Sequence, residues 1–150
     1  MRHSGLGIRR IHHIAFAHKE PSVLDTFEDV FGLSCLEPQP GPGFVERMFP
    51  VGEAYLQALE ATGPGTVDRF VERRGAALHH VAFEVEDINL ALDALKQRGT
   101  KLVDNVPRPG GAGTTVAFLH PSACGGLLVE LVQPELVQPD LVQPGREHPW

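Results

Sequence analysis

An α+β fold built from two tandem βαβββ modules is what this sequence predicts, and three observations predict it. First, Ile11-His12-His13-Ile14-Ala15-Phe16 returns as Leu78-His79-His80-Val81-Ala82-Phe83, so that His13 and His80 stand 67 positions apart. That spacing is too long for a solenoid repeat and suits a duplicated module. Second, each copy reads as a strand, apolar and β-branched with period-two alternation, and a helical pattern follows it. Third, the last strand of each half is largely apolar but carries a polar interruption, Gln57 in one and Glu130 in the other.

Taken in order, residues 8–17 read as the first strand. Glu20-Pro21-Ser22 then opens a helix with proline near its first turn. Leu24, Phe27 and Phe31 mark the buried stripe of that helix, and Gly32 stops it. Residues 44–49 and 53–60 read as two strands about Val51-Gly52. Thr66 to Arg74 reads as a short linking helix, capped by Thr66 and ended by Gly75. The second half repeats the plan. A strand over 78–85 precedes a helix from Asp87 to Arg98, with Ile88, Ala91, Leu92 and Leu95 inward and Gly99 at its end. Thr114–Leu119 and Gly126–Val132 then alternate as strands around His120-Pro121-Ser122. Neither half could easily bury its sheet face alone, so one domain over residues 1–134 is expected, with modules of about 8–62 and 78–134.

The C-terminus holds a repeat of another kind. Glu130–Pro134 (ELVQP) recurs as Glu135–Pro139 and, with Asp for Glu, as Asp140–Pro144. Proline at every fifth position rules out a regular helix and disfavours a central strand. The first copy completes a strand, and residues 135–150 are expected to form a flexible tail dispensable for catalysis.

Composition narrows the function. With 150 residues, 42% of them hydrophobic, the chain can bury a sizeable core. A formal net charge of −6 speaks against nucleic-acid binding. No apolar run is long enough to span a membrane, and residues 1–10 lack the apolar core of a secretory signal. Cys35 and Cys124 do not make a disulfide framework, so a cytoplasmic location is the default.

Four residues converge when the modules are overlaid: His13 and His80 on the first strands, Gln57 and Glu130 on the last. A buried carboxylate such as Glu130 needs a cation, a donor or a proton. Two imidazoles, a carboxylate and an amide oxygen form a mixed N/O set suited to Co, Mn, Ni, Fe or Zn rather than a thiolate site. A single strand histidine is usually structural, but the paired recurrence with Gln57 and Glu130 favours a divalent metal. His12 and His79 alternate to the opposite face and read as packing residues or outer partners of the ligands. His120 reads as a loop residue. Glu46 shares a strand face with Phe44 and Met48, where apolar neighbours would raise its pKa and suit it to general-base work. The rival reading of Glu46 is an ion pair with arginine, or a solvent-facing register.

With these motifs the chain resembles the vicinal-oxygen-chelate superfamily, the glyoxalase and epimerase fold, and within it the methylmalonyl-CoA epimerases. IHHIAFA, FVERMFPVGEAYLQALEA, the stretch from Gly75-Ala76-Ala77-Leu78 onward and PRPGGAGTTVAFLHPSACGGLLVELVQP carry the resemblance, over about residues 8–134. It implies a curved, barrel-like mixed sheet around a metal site, and a homodimer. Its metal ligands fall on His13, Gln57, His80 and Glu130, and its catalytic pair on Glu46 and Glu130. The implied substrate is an acyl-CoA thioester of malonyl type, whose acidic α-carbon is inverted by two carboxylates through a metal-stabilised enolate. Lys96, Arg98, Lys101 and Arg108 are candidates to meet CoA phosphates, or are solvated charges. The loop Pro109–Gly113 could bring N–H groups near phosphate or simply turn a hairpin. Ser122 departs from the family, where lysine often follows His-Pro.

Three rivals share the fold. A lactoylglutathione lyase-like isomerase would use similar proton transfer on a hemithioacetal. An extradiol dioxygenase would use two histidines and one carboxylate, and Gln57 as a fourth ligand argues against it. A metal-free small-molecule-binding protein would lack the ligand set that His13, His80 and Glu130 offer.

Overall fold

The first strand, β1 (Ile8–His18), is longer than its neighbours and organises the sheet. The structure is a computed structural model that describes residues 5–135; the proline-repeat tail from residue 136 onward lies outside the described residues. After β1 come α1 (Ser22–Asp25), β2 (Gln39–Gly41), β3 (Phe44–Val51), β4 (Ala54–Ala61) and α2 (Thr66–Arg74). The second half runs β5 (Ala77–Val85), α3 (Ile88–Gln97), β6 (Arg108–Pro109), β7 (Thr115–Leu119) and β8 (Val129–Gln133). Each half therefore has the order βαβββ. The short strands β2 and β6 occupy equivalent places in the two halves.

Hydrogen bonding orders the strands β2-β3-β4-β1-β5-β8-β7-β6. β1 and β4 pair in parallel, whereas β3 and β4, and β7 and β8, are antiparallel. The sheet is thus mixed. The chain divides into two compact units, one from Ile11 to Val81 and one comprising the chain up to Arg10 together with the chain from Ala82 onward.

In the unit from Ile11 to Val81, two apolar clusters form. Phe27, Phe49 and Ala58 pack with Phe16, Leu24, Leu33 and Leu56. Ala15, Ala17, Leu59 and Val67 pack with Phe44, Phe70 and Val71 of α2. Lys19 anchors α2 by ion pairs to Asp68 (2.6 Å) and Glu72 (3.2 Å), an exposed arrangement that adds little stability. In the other unit, Ile88, Ala91, Leu92 and Leu95 of α3 close on Val85, Ala117, Leu119, Val129 and Leu131, the inward stripe expected of that helix. Asp87 caps α3, its carboxylate accepting from Leu90 N–H at 3.1 Å.

Three local expectations need correction. α1 is only four residues long, and the chain continues from Thr26 to Val30 as a π-turn, with Phe31 N–H donating to Thr26 O. The wider turn rotates later side chains off the 3.6-residue stripe. Phe27 is accordingly buried, while Phe31 stacks on it but stays 58% exposed. Thr66 is the first helical residue of α2 rather than its cap, and Gly65 stands at the cap without a side-chain bond. The last strand begins at Val129, three residues later than its apolar pattern suggests, because Gly125 and Gly126 adopt positive φ.

His18, at the end of β1, is fully buried. Its Nδ1 donates to Glu20 O at 3.0 Å, and its Nε2 has no hydrogen-bond partner among the described residues. Burial pushes the imidazole below its ordinary 6.5; the bond to Glu20 and the charge of Glu60 oppose this, and Arg47 reinforces it. The folded state therefore takes up the proton less readily than the unfolded chain, so stability falls as pH drops below about 6.5 and is unaffected by this group above it. Denaturant melts at pH 7.5 and 5.0 should show the loss, and His18→Asn should shrink it. Leu92, 1% exposed in the α3 cluster, is the core test. Leu92→Ala should cost about 2–5 kcal/mol of unfolding free energy, read from the shift in denaturant midpoint.

Candidate metal centre

β1, β3 and β4 place the candidate residues by register. His13 pairs with Tyr55, Ala15 with Gln57 and Ala17 with Leu59. Across β3 and β4, Met48 pairs with Gln57 and Glu46 with Leu59. Paired residues share a sheet face, so His13, Glu46, Met48, Tyr55 and Gln57 all belong to one face. Glu46 keeps the apolar company expected from its alternation, between Phe44 and Met48. Its neighbour Arg47 belongs to the opposite face, where it pairs with Glu60 at 3.1 Å.

His13 and His80 meet directly. Their Nε2 atoms are 3.0 Å apart and the rings cross at 78°, with both residues about 95% buried. Gln57 is 6% exposed, and its Oε1 has no hydrogen-bond partner among the described residues. An unpaired buried amide oxygen carries a desolvation cost that a cation would relieve. Two imidazole nitrogens aimed at one point, together with an open amide oxygen, fit a divalent metal by their chemistry.

Glu130 lies in β8, in the unit that begins at Ala82. It is 7% exposed between Val129 and Leu131 and pairs in register with Phe118.

The remaining candidates have the following surroundings. Arg108 is engaged locally: its guanidinium pairs with Asp104 at 3.3 Å and covers the Phe118 ring at 5.4 Å. Lys96, Arg98 and Lys101 are exposed at the end of α3 and just beyond. The loop before β7 turns the β6–β7 hairpin and is tied to Thr114 by three hydrogen bonds. Gly110 N–H donates to Thr114 O, Thr114 N–H to Gly111 O, and the Thr114 hydroxyl to Gly111 O. His120 is a loop residue, accepting from Ser122 N–H to cap the turn Pro121–Cys124. Cys35 and Cys124 are both free thiols.

His12 and His79 were expected on the opposite face, as packing residues or outer partners of the ligands. His12 Nδ1 lies 2.7 Å from His13 Nδ1, and His79 Nδ1 lies 2.8 Å from His80 Nδ1. Strand periodicity gives the direction of each Cβ, and it leaves free the side-chain torsions that bring adjacent rings together. The repetition of the His-His dipeptide was the only signal in the sequence.

Comparison with known proteins places this geometry. Residues 12–118 match the model of the glyoxalase/bleomycin resistance protein/dioxygenase superfamily. The mitochondrial methylmalonyl-CoA epimerase of Bos taurus is 33% identical over 140 residues, covering 87% of this chain and 80% of the relative. An ethylmalonyl-CoA/methylmalonyl-CoA epimerase of Cereibacter sphaeroides is 32% identical over 132 residues, covering 84% and 98%. A solved structure of Streptomyces coelicolor methylmalonyl-CoA epimerase, a single-substitution variant in complex with 2-nitronate-propionyl-CoA, superposes with a TM-score of 0.80 at 28% identity, covering 87% and 98%. From its sequence match, its mixed eight-stranded sheet and its repeated histidine strands, the chain belongs to the glyoxalase/bleomycin resistance protein/dioxygenase superfamily, and its relatives there include methylmalonyl-CoA epimerases.

Proposed function

We propose that the protein is an isomerase that inverts the α-carbon of a malonyl-type CoA thioester, methylmalonyl-CoA being the first substrate to test. The observation that carries this reading is the buried pair of facing His13 and His80 nitrogens, with the unpaired oxygen of Gln57 on the sheet face of His13. That donor arrangement answers a carbon acid whose conjugate base must be stabilised, and the epimerase relatives supply the substrate class.

The proposed ligands are His13, Gln57, His80 and Glu130. A divalent ion held there would supply Lewis-acid stabilisation for charge developing on the thioester and carboxylate oxygens. The chain's own carboxylates carry the proton. Glu46, entering ionised, takes the α-proton from one stereoisomer, the α-carbon becomes planar as an enolate, and Glu130, entering protonated, gives its proton to the other face, which leaves Glu46 protonated and Glu130 ionised. In the reverse direction the two exchange roles. Neither a nucleophile nor a redox step enters this scheme. A second copy of the chain as partner is the remaining proposal, testable by sedimentation.

The metal assay separates this reading from a metal-free binding protein. About one divalent ion per chain is expected; chelation should abolish turnover and Co or Mn should restore it. His13→Ala and His80→Ala should each lose most of the metal. Full activity in verified metal-free protein would sink the mechanism. The substrate is tested by NMR of α-proton exchange into deuterated water, comparing methylmalonyl-CoA with the methylglyoxal–glutathione adduct. Faster exchange in the latter would shift the assignment to the lyase.

Glu46→Gln should keep the metal and lose about 10²–10⁴-fold in epimerisation rate, the usual cost of removing a general base. Isotope exchange with retained configuration, on the stereoisomer served by Glu130, is expected to survive. Epimerisation by this variant at the wild-type rate would make Glu46 a structural residue.

A further inference from the structure

The proposed function uses His13 and His80 and leaves their neighbours without a task. His12 meets His13 at 2.7 Å and His79 meets His80 at 2.8 Å, in both cases Nδ1 to Nδ1. The ring arrangements are also alike, with centroids 5.0 and 5.1 Å apart and planes crossing at 76° and 77°. The surroundings differ: Tyr55 lies beside His12, with its ring 5.6 Å away, while Phe70 packs edge-on at 4.8 Å against His79. The same contact built twice against different neighbours argues against an accident of packing. With the Nε2 atoms of His13 and His80 at 3.0 Å, the four rings run as one chain, His12–His13–His80–His79, joined through nitrogen alone.

Those contacts constrain the protons. A neutral imidazole has one N–H and one lone pair, and two bare lone pairs would repel at 2.7–2.8 Å. One nitrogen of each Nδ1 pair must therefore donate. If His13 and His80 are to offer Nε2 lone pairs to a cation, their own protons must sit on Nδ1 and need acceptors where water is excluded. The Nδ1 atoms of His12 and His79 are the acceptors within reach, and their own protons then move to Nε2.

We propose that His12 and His79 are positioning residues. Each accepts the Nδ1–H of its neighbour and so fixes the tautomer and ring orientation in which His13 and His80 present Nε2. This rests on the metal reading above. Ligating histidines usually hand the second N–H to a carboxylate, a carbonyl or water, and loss of that partner typically weakens metal binding about 10–100-fold. Here the partner is the preceding residue in the chain, so one dipeptide carries both the ligand and its orienting group. A neutral imidazole does this without adding negative charge beside the site.

The test uses the full chain, zinc titration calorimetry and long-range ¹H–¹⁵N spectra of the histidine rings. In zinc-loaded wild type, His13 and His80 should be Nδ1–H tautomers, and His12 and His79 Nε2–H tautomers. His12→Phe and His79→Phe keep a ring and remove the acceptor; each should weaken zinc binding about 10–100-fold. His12→Asn and His79→Asn, whose amide oxygens can accept, should recover part of that loss and serve as the test if a Phe variant does not fold. If folded Phe variants bind zinc within about threefold of wild type, or if His12 and His79 carry their protons on Nδ1 in the loaded protein, the positioning role is overturned while the metal reading stands. Wild-type protein that takes up no zinc, cobalt or manganese overturns the metal reading itself.

Discussion

Two imidazole nitrogens held 3.0 Å apart in a water-poor sheet face are the constraint around which the rest of this structure is arranged. Burying polar rings is costly unless each nitrogen finds a partner, and apolar packing alone cannot supply one. Ala15, Ala17 and Ala82 are fully buried in the same strands, and Ala15 and Ala17 pack with Leu59 and Val67. The bulky core residues, Phe49, Ile88, Leu92 and Leu131, are segregated into clusters with the helices. Stability and chemistry are thus assigned to different positions of the same strands.

Much of this arrangement is legible in the sequence, for specific reasons. Alternation in Ile11–Phe16 and Leu78–Phe83 identifies the strands, and their repetition identifies the modules. Gly32, Gly75 and Gly99 mark helix ends because a positive φ is easy only for glycine there. What escapes has equally specific causes. β2 and β6 are three and two residues long and rich in proline and glycine, too short to show a period. The π-turn at Thr26–Val30 obeys hydrogen bonding that no apolar spacing encodes. In the site, Gln57 stands out as a polar residue in an apolar strand, and its unpaired oxygen becomes visible only once its neighbours are placed.

The charged surface shows why residue type alone is a weak guide to ligand contacts. Arg108 looks available in sequence, yet Asp104 and the face of Phe118 hold it, and Asp104 also accepts from Phe118 N–H at 2.8 Å. Those contacts stiffen the segment leading into β7. In the glycine-rich segment before that strand, Gly110 N–H and Gly111 O bond to Thr114 and close the hairpin. By contrast, Glu46 and Arg47 differ by one position and a sheet face: Glu46 shares its face with Met48, and Arg47 pairs with Glu60 on the other.

The position of β1 in the strand order also has a kinetic consequence. β3–β4 and β7–β8 are antiparallel pairs of strands close in sequence, and such pairs close short loops quickly. β1 instead pairs in parallel with β4, a partner about forty residues away, and a parallel pair cannot form through a tight turn. The strand that carries His13 therefore joins the sheet through the pairings with the largest loop-closure cost. Loop closure alone favours the hairpins over the β1–β4 pairing, and the two imidazoles can meet only once β1 is in place.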